Sequence, residues 1–269
     1  MRRIFYHMIL LLIMQVFLLY PLVGSATGLK RKAVEYKEGD GIFTGYLVYP
    51  EGIRTNSPGV LLIPEWWGIN DFAKSMADRI AGKGFVVFAI DMYGQGRYAR
   101  NPEEAQKFSA PIKKDPSLMQ KRALAGLRTL REQKLVDPSR IMVVGFSLGG
   151  RVAIELAKVA KDLRGVVTVY GSLSPSLFIN LEKTKTPLLI LHGYSDPLVE
   201  EDELLGIMNM LDSSGVEWKL VIYGGAVHGF SNPAYGEDPS SGTAYSRVVS
   251  EDAFREMMEF FRRLSSPSP

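Results

Sequence analysis

Short apolar runs, separated by longer stretches of mixed pattern, repeat along the chain between residues 28 and 264. Runs of about five apolar residues are typical of strands, and those without polar positions are typical of strands covered on both faces. Four such runs lie between residue 60 and residue 170. The predicted strands are residues 45–49, 60–63, 86–90, 141–144, 166–170, 188–191 and 219–223.

In the stretches between these runs, apolar residues recur at intervals near 3.6, which predicts amphipathic helices. The predicted helices are residues 71–81, 102–108, 117–133, 148–161, 200–213 and 245–264. Two Asp-Pro-Ser segments, at residues 115–117 and 137–139, predict helix starts or turns. Strands alternating with helices, without an internal repeat or a linker, predict one α/β domain over residues 27–264. Its sheet is expected to be mostly parallel, with helices on both faces.

The two ends of the chain have patterns of their own. Arg2 and Arg3 are followed by a largely apolar run of about 16 residues, Met8 to about Val23, and then by Gly24-Ser25-Ala26, which predicts a signal peptide over residues 1–26. The alternative is an uncleaved membrane anchor, although a spanning helix needs roughly 20 residues. We therefore expect an exported protein, periplasmic or secreted, that is membrane-tethered if the segment is retained. Residues 265–269, rich in serine and proline, predict a disordered tail.

Composition narrows the possible functions. The formal net charge of +3 falls to +1 once Arg2 and Arg3 are removed, which gives no electrostatic reason to expect nucleic acid or an anionic membrane surface as a partner. The basic cluster Lys30-Arg31-Lys32 is interpreted as a solvated start of the mature chain. The absence of cysteine excludes disulfides, lipid attachment, thiolate metal sites and a cysteine nucleophile.

The strongest local signal is a G-x-S-x-G pattern, Gly145-Phe146-Ser147-Leu148-Gly149. A predicted strand leads into it and a predicted helix follows, which is the setting of a nucleophile elbow. Small residues on both sides of the serine allow the close backbone approach that this strained turn requires. The alternative is a glycine-rich turn of a nucleotide-binding sheet, but no G-x-G-x-x-G or P-loop pattern accompanies it.

A serine nucleophile needs a base, and the chain has three histidines. His7 lies in the targeting segment. His192 ends a predicted strand, where packing at the strand end is favoured over catalysis. His228 lies on a glycine-flanked loop after the last predicted strand, and such loops line the ligand crevice of open α/β sheets. We therefore predict His228 as the base.

The acid that orients the histidine is predicted to be Asp196, just after the strand over residues 188–191. This assignment produces the order serine, acid, histidine that is typical of α/β-hydrolases. Glu200, Glu201 and Asp202 are competitors, but they open a predicted helix and suit a charge role there. Asp91 precedes the serine and is expected to shape a loop.

The oxyanion of an acyl-transfer intermediate needs two fixed hydrogen-bond donors. One is expected to be the backbone N–H of Leu148. The other is expected from the loop after residues 60–63, where the N–H of Trp66 is the natural candidate. Trp66 and Trp67 also suit the wall of a substrate pocket, with ordinary core packing as the alternative for Trp67.

Taken together, these segments resemble the dienelactone hydrolase family over essentially the whole mature chain. The matching segments are Ile63-Pro64-Glu65-Trp66-Trp67-Gly68-Ile69-Asn70, Asp91-Met92-Tyr93-Gly94, Gly145 to Gly150, Tyr170-Gly171, His192 to Asp196 and His228-Gly229-Phe230-Ser231-Asn232-Pro233. The resemblance implies the α/β-hydrolase fold and a hydrolase that acts on small-molecule esters or lactones, with no metal and no organic cofactor.

The resemblance also implies roles for two further residues. Glu65 is expected beside the nucleophile, influencing its hydroxyl and pairing with a nearby arginine, with a structural loop carboxylate as the alternative. Arg97 matches a family arginine that contacts a substrate carboxylate. Arg100 competes for this role, and a solvated surface charge is the alternative for both.

Two departures from the family pattern affect the expected substrate. The well-known members carry cysteine where this chain has Ser147, so the hydroxyl depends more on His228 for removal of its proton. The segment after His228 lacks the arginine that holds the dienelactone carboxylate. An ester other than dienelactone is therefore favoured.

These features together predict a serine hydrolase that cleaves an ester or lactone through an acyl-enzyme. The same triad would also serve an amidase, a peptidase or an acyltransferase, because the pocket selects the leaving group and the acceptor. A non-catalytic binding module is a further alternative. The complete set of serine, acid and base argues against it.

Overall fold

The structure is a computed structural model that describes residues 28–160 and 162–266. The predicted signal peptide at residues 1–26 lies outside the described residues, as does His7. Of the predicted disordered tail, Ser265 ends the last helix, and residues 267–269 are not described. Within the described ranges, no helix is both long and apolar enough to cross a membrane.

One eight-stranded sheet runs through the described chain, with the strand order β1-β2-β4-β3-β5-β6-β7-β8. The strands are β1 (Leu29–Glu38), β2 (Gly41–Pro50), β3 (Ser57–Ile63), β4 (Val86–Ala89), β5 (Val136–Phe146), β6 (Gly165–Val169), β7 (Leu188–Gly193) and β8 (Trp218–Tyr223). Strand β2 is antiparallel to β1 and to β4, and all other neighbours are parallel. The predicted mostly parallel sheet is confirmed.

Helices cover both faces of this sheet. They are α1 (Asp71–Ala81), α2 (Pro102–Lys114), α3 (Pro116–Arg131), α4 (Leu148–Val159), α5 (Glu201–Ser214) and α6 (Arg247–Ser265). Each contains most of one predicted helix, and α2 runs six residues past its predicted end. Asp115 caps α3 by accepting a hydrogen bond from Leu118 N at 3.1 Å, so the helix start predicted there is confirmed.

Two separate apolar cores explain why the central strands contain so few polar residues. Val60 and Leu62 of β3 pack on one face with residues of α1 and α6. Leu61 and Ile63 pack on the other face with residues of α2, α3, α4 and α5. Successive side chains of a strand point to opposite faces, so a strand covered on both faces is apolar at every position.

Two local predictions are corrected by the structure. Strand β1 was not predicted, because it is a mostly exposed edge strand in which only Tyr36 is fully buried. The Lys30-Arg31-Lys32 cluster lies in this strand with its side chains exposed, in agreement with the solvated position expected for it. The second Asp-Pro-Ser segment, residues 137–139, does not start a helix. It lies within β5, where the pairing with β3 jumps from Val136 to Ile141.

Candidate active site

The backbone at Ser147 is strained, as a nucleophile elbow requires. Strand β5 ends at Phe146, helix α4 begins at Leu148, and Ser147 between them has φ +52° and ψ −118°. Its N–H donates to the carbonyl of Val169 at 3.1 Å, and its carbonyl accepts from Gly150 N at 2.9 Å. These bonds hold a conformation that non-glycine residues rarely adopt, which is typical of functional positions.

The glycines around Ser147 are required by close approach of the backbone. A Cβ at Gly145 would lie 2.0 Å from the carbonyl oxygen of Gly149. A Cβ at Gly149 would lie 2.2 Å from the carbonyl oxygen of Ile63, at the end of β3. Because no side chain fits at these distances, the G-x-S-x-G spacing follows from the packing of β5, α4 and β3.

The structure brings the predicted serine, histidine and acid into one hydrogen-bonded chain. Ser147 Oγ lies 2.8 Å from His228 Nε2, and His228 Nδ1 lies 2.8 Å from Asp196 Oδ2. All three residues are buried. A carboxylate can only accept, so His228 Nδ1 carries the proton and Nε2 is free to accept from the serine hydroxyl.

Two loops hold the histidine and the acid in position. Asp196 follows β7, and its second oxygen accepts from Leu198 N at 2.9 Å. His228 lies on the loop between β8 and α6. Its backbone N–H donates to the carbonyl of Gly242 at 3.2 Å, and its backbone carbonyl accepts from Ala244 N at 3.1 Å. The ring of Tyr170 contacts the imidazole of His228 edge-on, at 5.3 Å between centroids. The backbone of His228 and one side of its imidazole are therefore held by fixed neighbours.

His192, the other histidine of the fold, lies at the end of β7 and is 1% exposed. Its Nδ1 has no hydrogen-bond partner among the described residues. Burial lowers its pKa, the charge of Asp196 opposes this effect, and His228 adds to it. The packed position matches the sequence interpretation.

Glu65 lies buried in a polar network beside the triad. Asn232 Nδ2 donates to one carboxylate oxygen at 2.8 Å, and the hydroxyl of Tyr235 lies 3.5 Å from the other. The Tyr170 hydroxyl faces the same carboxylate without a hydrogen bond of standard geometry. Burial raises the pKa of Glu65 to about 7, while the charge of His228 and these hydrogen-bonding groups act in the opposite direction.

The predicted arginine partner of Glu65 is wrong, because in the described part of the chain no arginine forms an ion pair with it. Asn232 and Tyr235 satisfy the carboxylate instead, with donors that carry no charge. No spacing or pattern in the sequence indicated these partners. Asn232 and Tyr170 lie in segments that resemble the family, but a resemblance does not indicate which residues touch.

The two predicted oxyanion donors lie on segments that pack together. A Cβ at Gly149 would lie 2.6 Å from the carbonyl oxygen of Pro64, so the start of α4 touches the loop that carries Trp66. Neither Trp66 N nor Leu148 N donates a hydrogen bond within the described residues. The carbonyl of Trp66 accepts from the Tyr93 hydroxyl at 2.7 Å, which fixes the loop. Donation to an oxyanion by these groups stays a prediction.

Two residues predicted to contact the substrate have other partners in the structure. Trp67 Nε1 donates to the Tyr235 hydroxyl at 2.8 Å, and the Trp67 ring meets the Trp66 ring edge-on at 5.0 Å. Arg97 is exposed, and its Nε and one Nη donate to the carbonyls of Gly94 and Tyr93. These two bonds leave three of the five guanidinium N–H groups of Arg97 free, and a substrate contact through them stays a prediction.

Asp91 has the loop role that was expected of it. Its Oδ1 accepts from the N–H groups of Tyr93 and Gly94, at 2.8 and 2.9 Å, and its Oδ2 accepts from Gly96 and Thr44.

Among the residues that the structure describes, no group of three or more His, Cys, Asp or Glu side chains is arranged to hold a metal ion.

Comparison with known proteins agrees with this geometry. The model of the dienelactone hydrolase family matches residues 43–265. Protein usf of Aquifex pyrophilus is 30% identical over 237 residues, covering 85% of this chain and 96% of that protein. A protein of Aquifex aeolicus, provisionally named carboxymethylenebutenolidase, is 28% identical over 203 residues, covering 74% of this chain and 86% of its own.

Solved structures show the same likeness. The crystal structure of a dienelactone hydrolase-like promiscuous phosphotriesterase from metagenomic libraries has a TM-score of 0.83 at 30% identity, covering 88% of this chain and 98% of its own. An α/β-hydrolase enzyme from a deep-sea metagenome library, at 19% identity and a TM-score of 0.63, shows the fold alone. It covers 89% of this chain and 99% of its own. The predicted α/β-hydrolase fold is confirmed.

Proposed function

The chain belongs to the dienelactone hydrolase family and is a carboxylic ester hydrolase, and we propose that it cleaves its ester or lactone through an acyl-enzyme on Ser147. The observation that carries this proposal is the chain of hydrogen bonds from Ser147 through His228 to Asp196, with 2.8 Å at each step. It supplies a nucleophile, a base and an orienting acid in one buried line.

In the acylation step, His228 Nε2 takes the hydroxyl proton as Ser147 Oγ attacks the carbonyl carbon. Asp196 holds the imidazolium that forms, and the N–H groups of Leu148 and Trp66 receive the oxyanion. When the tetrahedral intermediate collapses, the bond to the leaving oxygen breaks, and that oxygen takes the proton from His228. In a lactone, the ring opens in this step, and the alcohol that forms stays attached to the acyl group on Ser147.

In the deacylation step, a water molecule replaces the alcohol. His228 takes one proton from the water, whose oxygen attacks the acyl carbon, and Ser147 leaves with that proton. The net reaction adds one water across the ester bond and yields an acid and an alcohol. The N-terminus of α4, which begins at Leu148, directs its positive end toward the developing charge in both steps.

Glu65 supplies a second electrostatic influence on the histidine. Burial raises its pKa to about 7 in spite of the nearby His228, so the charge of this carboxylate changes close to neutral pH. An ionised Glu65 attracts a protonated His228 and therefore favours the imidazolium that both steps require. In this proposal Glu65 modulates the nucleophile through His228.

The first experiment measures hydrolysis of p-nitrophenyl acetate and butyrate by the protein and by Ser147→Ala and His228→Ala. We expect kcat to fall by at least about a thousandfold in both variants. A fluorophosphonate probe is expected to label the unaltered protein and a control Ser176→Ala, in which an exposed serine is changed, but not Ser147→Ala. Labelling retained in Ser147→Ala would overturn the assignment of the nucleophile.

A further inference from the structure

The side chain of Tyr235 joins two loops of the proposed active site. One is the histidine loop, which carries His228 between β8 and α6 and contains the short 3₁₀ turn Pro233–Tyr235. The other is the oxyanion loop, residues 64–68, after β3. Both chain neighbours of Tyr235 are exposed, whereas Tyr235 is half-buried, and its hydroxyl accepts a hydrogen bond from Trp67 Nε1 at 2.8 Å. The turn therefore lies at the surface, and its tyrosine reaches inward to the oxyanion loop.

The ring of Tyr235 also packs against the backbone next to the histidine. A Cβ at Gly229 would lie 2.5 Å from Cδ2 and Cε2 of this ring, and Gly229 has φ +74°, a conformation that favours glycine. Two turns hold the arrangement, because Asn232 N donates to the carbonyl of Gly229 at 2.8 Å and Tyr235 N donates to the carbonyl of Asn232 at 3.2 Å. The ring is therefore fixed relative to His228, which directly precedes Gly229.

The histidine loop holds the oxyanion loop on both sides of Trp66. On one side, the carboxylate of Glu65 accepts from Asn232 Nδ2 at 2.8 Å. On the other side, the indole of Trp67 donates to the Tyr235 hydroxyl. The backbone N–H of Trp66, the predicted oxyanion donor, therefore lies between two side chains that are anchored to the histidine loop.

The peptide between Glu65 and Trp66 has a defined direction. Its carbonyl, that of Glu65, accepts from Gly68 N at 3.0 Å. The carbonyl and the N–H of a trans peptide point in opposite directions, so the N–H of Trp66 points away from this turn. This N–H donates to no group among the described residues and can serve an oxyanion. Hydrogen bonds weaken steeply as they bend, so its effect on an oxyanion depends on what holds this peptide in place.

We propose that Tyr235 is a positioning residue of the oxyanion hole, whose hydroxyl ties Trp67 to the histidine loop and thereby sets the direction of the Trp66 N–H. This inference rests on the proposed function, in which that N–H receives the oxyanion. An indole N–H can only donate, so the hydroxyl oxygen is the acceptor, and Tyr235→Phe removes the bond while it keeps the ring. An oxyanion donor acts mainly in the transition state, so a misdirected donor lowers kcat with little change in KM.

The test measures kcat and KM for p-nitrophenyl butyrate in Tyr235→Phe, in Trp67→Phe and in the double variant. The two single variants lose the same hydrogen bond, one from its acceptor side and the other from its donor side. Since a whole oxyanion donor contributes about a hundredfold to a thousandfold, we expect kcat to fall about tenfold in each, with KM changed less than about threefold. The double variant is expected to lose no more than the larger single loss, because residues that share one bond are not additive.

Tyr46→Phe is the matched control. It removes a hydroxyl that also makes a 2.8 Å hydrogen bond, to Asp78 Oδ1, between β2 and α1. Its kcat and KM are expected to equal those of the unaltered protein. A loss of activity that comes from the missing hydroxyl alone, and not from the oxyanion loop, would appear in this variant as well.

Inhibition by a trifluoromethyl ketone probes the oxyanion hole without turnover. Ser147 Oγ adds to the carbonyl carbon of the ketone, the hydroxyl proton passes to His228, and the carbonyl oxygen becomes an oxyanion in the hole. We expect the inhibition constant to rise about tenfold in Tyr235→Phe and in Trp67→Phe, and to stay unchanged in Tyr46→Phe. This measurement on Tyr235→Phe decides the question if Trp67→Phe does not fold.

A kcat and an inhibition constant in Tyr235→Phe equal to those in Tyr46→Phe would overturn the inference, and so would a loss confined to KM. A loss in Tyr235→Phe that a folded Trp67→Phe does not share would also overturn it, because the hydroxyl would then act through Glu65, 3.5 Å away. Failure of the proposed function looks different: the unaltered protein would neither hydrolyse the ester nor bind the ketone, and the inference would fall with it.

Discussion

Replacing Glu65 with glutamine is expected to stabilise the protein at alkaline pH much more than at acid pH. Glu65 is 3% exposed, and burial raises its pKa from 4.5 to about 7. The folded protein therefore keeps the carboxyl proton up to about pH 7, whereas the unfolded chain loses it near pH 4.5. Because the folded state binds more protons between these values, its stability falls as the pH rises through this window.

The magnitude follows from the difference between the two pKa values of Glu65. One pKa unit corresponds to about 1.4 kcal/mol, so the ionised carboxylate costs about 3 kcal/mol of unfolding free energy above pH 7. Between pH 5 and pH 8 the cost grows by about 2–3 kcal/mol, since part of it is already present at pH 5. Glutamine keeps an oxygen that accepts from Asn232 and has no charge to desolvate, so the variant lacks this contribution.

The assay is urea unfolding followed by circular dichroism at pH 5 and pH 8. The unfolding free energy of Glu65→Gln minus that of the unaltered protein is expected to rise by about 2–3 kcal/mol between these pH values. Glu259→Gln, the same change at an exposed position of α6, is the control and should show no such rise. A difference for Glu65→Gln that is equal at both pH values would refute the reasoning, because Glu65 would then ionise alike in the folded and unfolded states.

Three further changes test the site and the fold. Asp196→Asn is expected to lower kcat by about ten-thousandfold while circular dichroism stays unchanged, because an amide no longer selects the tautomer of His228 that accepts from serine; a loss under tenfold would contradict this. Gly149→Ala is expected to lose about 1–3 kcal/mol of unfolding free energy, because its Cβ would lie 2.2 Å from a carbonyl oxygen. Gly224→Ala, with nothing within 4 Å of the added Cβ, is its control, and equal losses in the two would disprove the close approach. Phe261→Ala removes a fully buried ring and is expected to cost about 3–5 kcal/mol in urea unfolding, whereas a loss below 1 kcal/mol would contradict its place in the core.

Most helices and strands could be predicted from the sequence, because each depends on the pattern of apolar and polar residues within its own segment. Apolar runs and helical periods located seven of the eight strands and every described α-helix. Strand β1 was not predicted, since it pairs along β2 at the sheet edge and buries little apolar surface of its own. An edge strand is stabilised by hydrogen bonds to its neighbour, and these leave no apolar pattern in the sequence.

The three residues of the proposed triad were also predictable, because each carries a local requirement. The elbow needs glycine at Gly145 and Gly149, and the order of serine, acid and histidine follows from the loops at one end of a parallel sheet. Their distances and the direction of their hydrogen bonds were set by the packing of β5, β7 and β8.

The environment of Glu65 was decided only in the tertiary structure. Glu65 meets Asn232 and Tyr235 across 167 and 170 residues of sequence. A pKa depends on burial and on the charges nearby in space, and neither quantity is encoded in the neighbouring residues of the chain. Sequence by itself therefore determined which chemical groups this protein has for catalysis, and tertiary packing decided which of them lose water, which find a counter-charge and which are left without one.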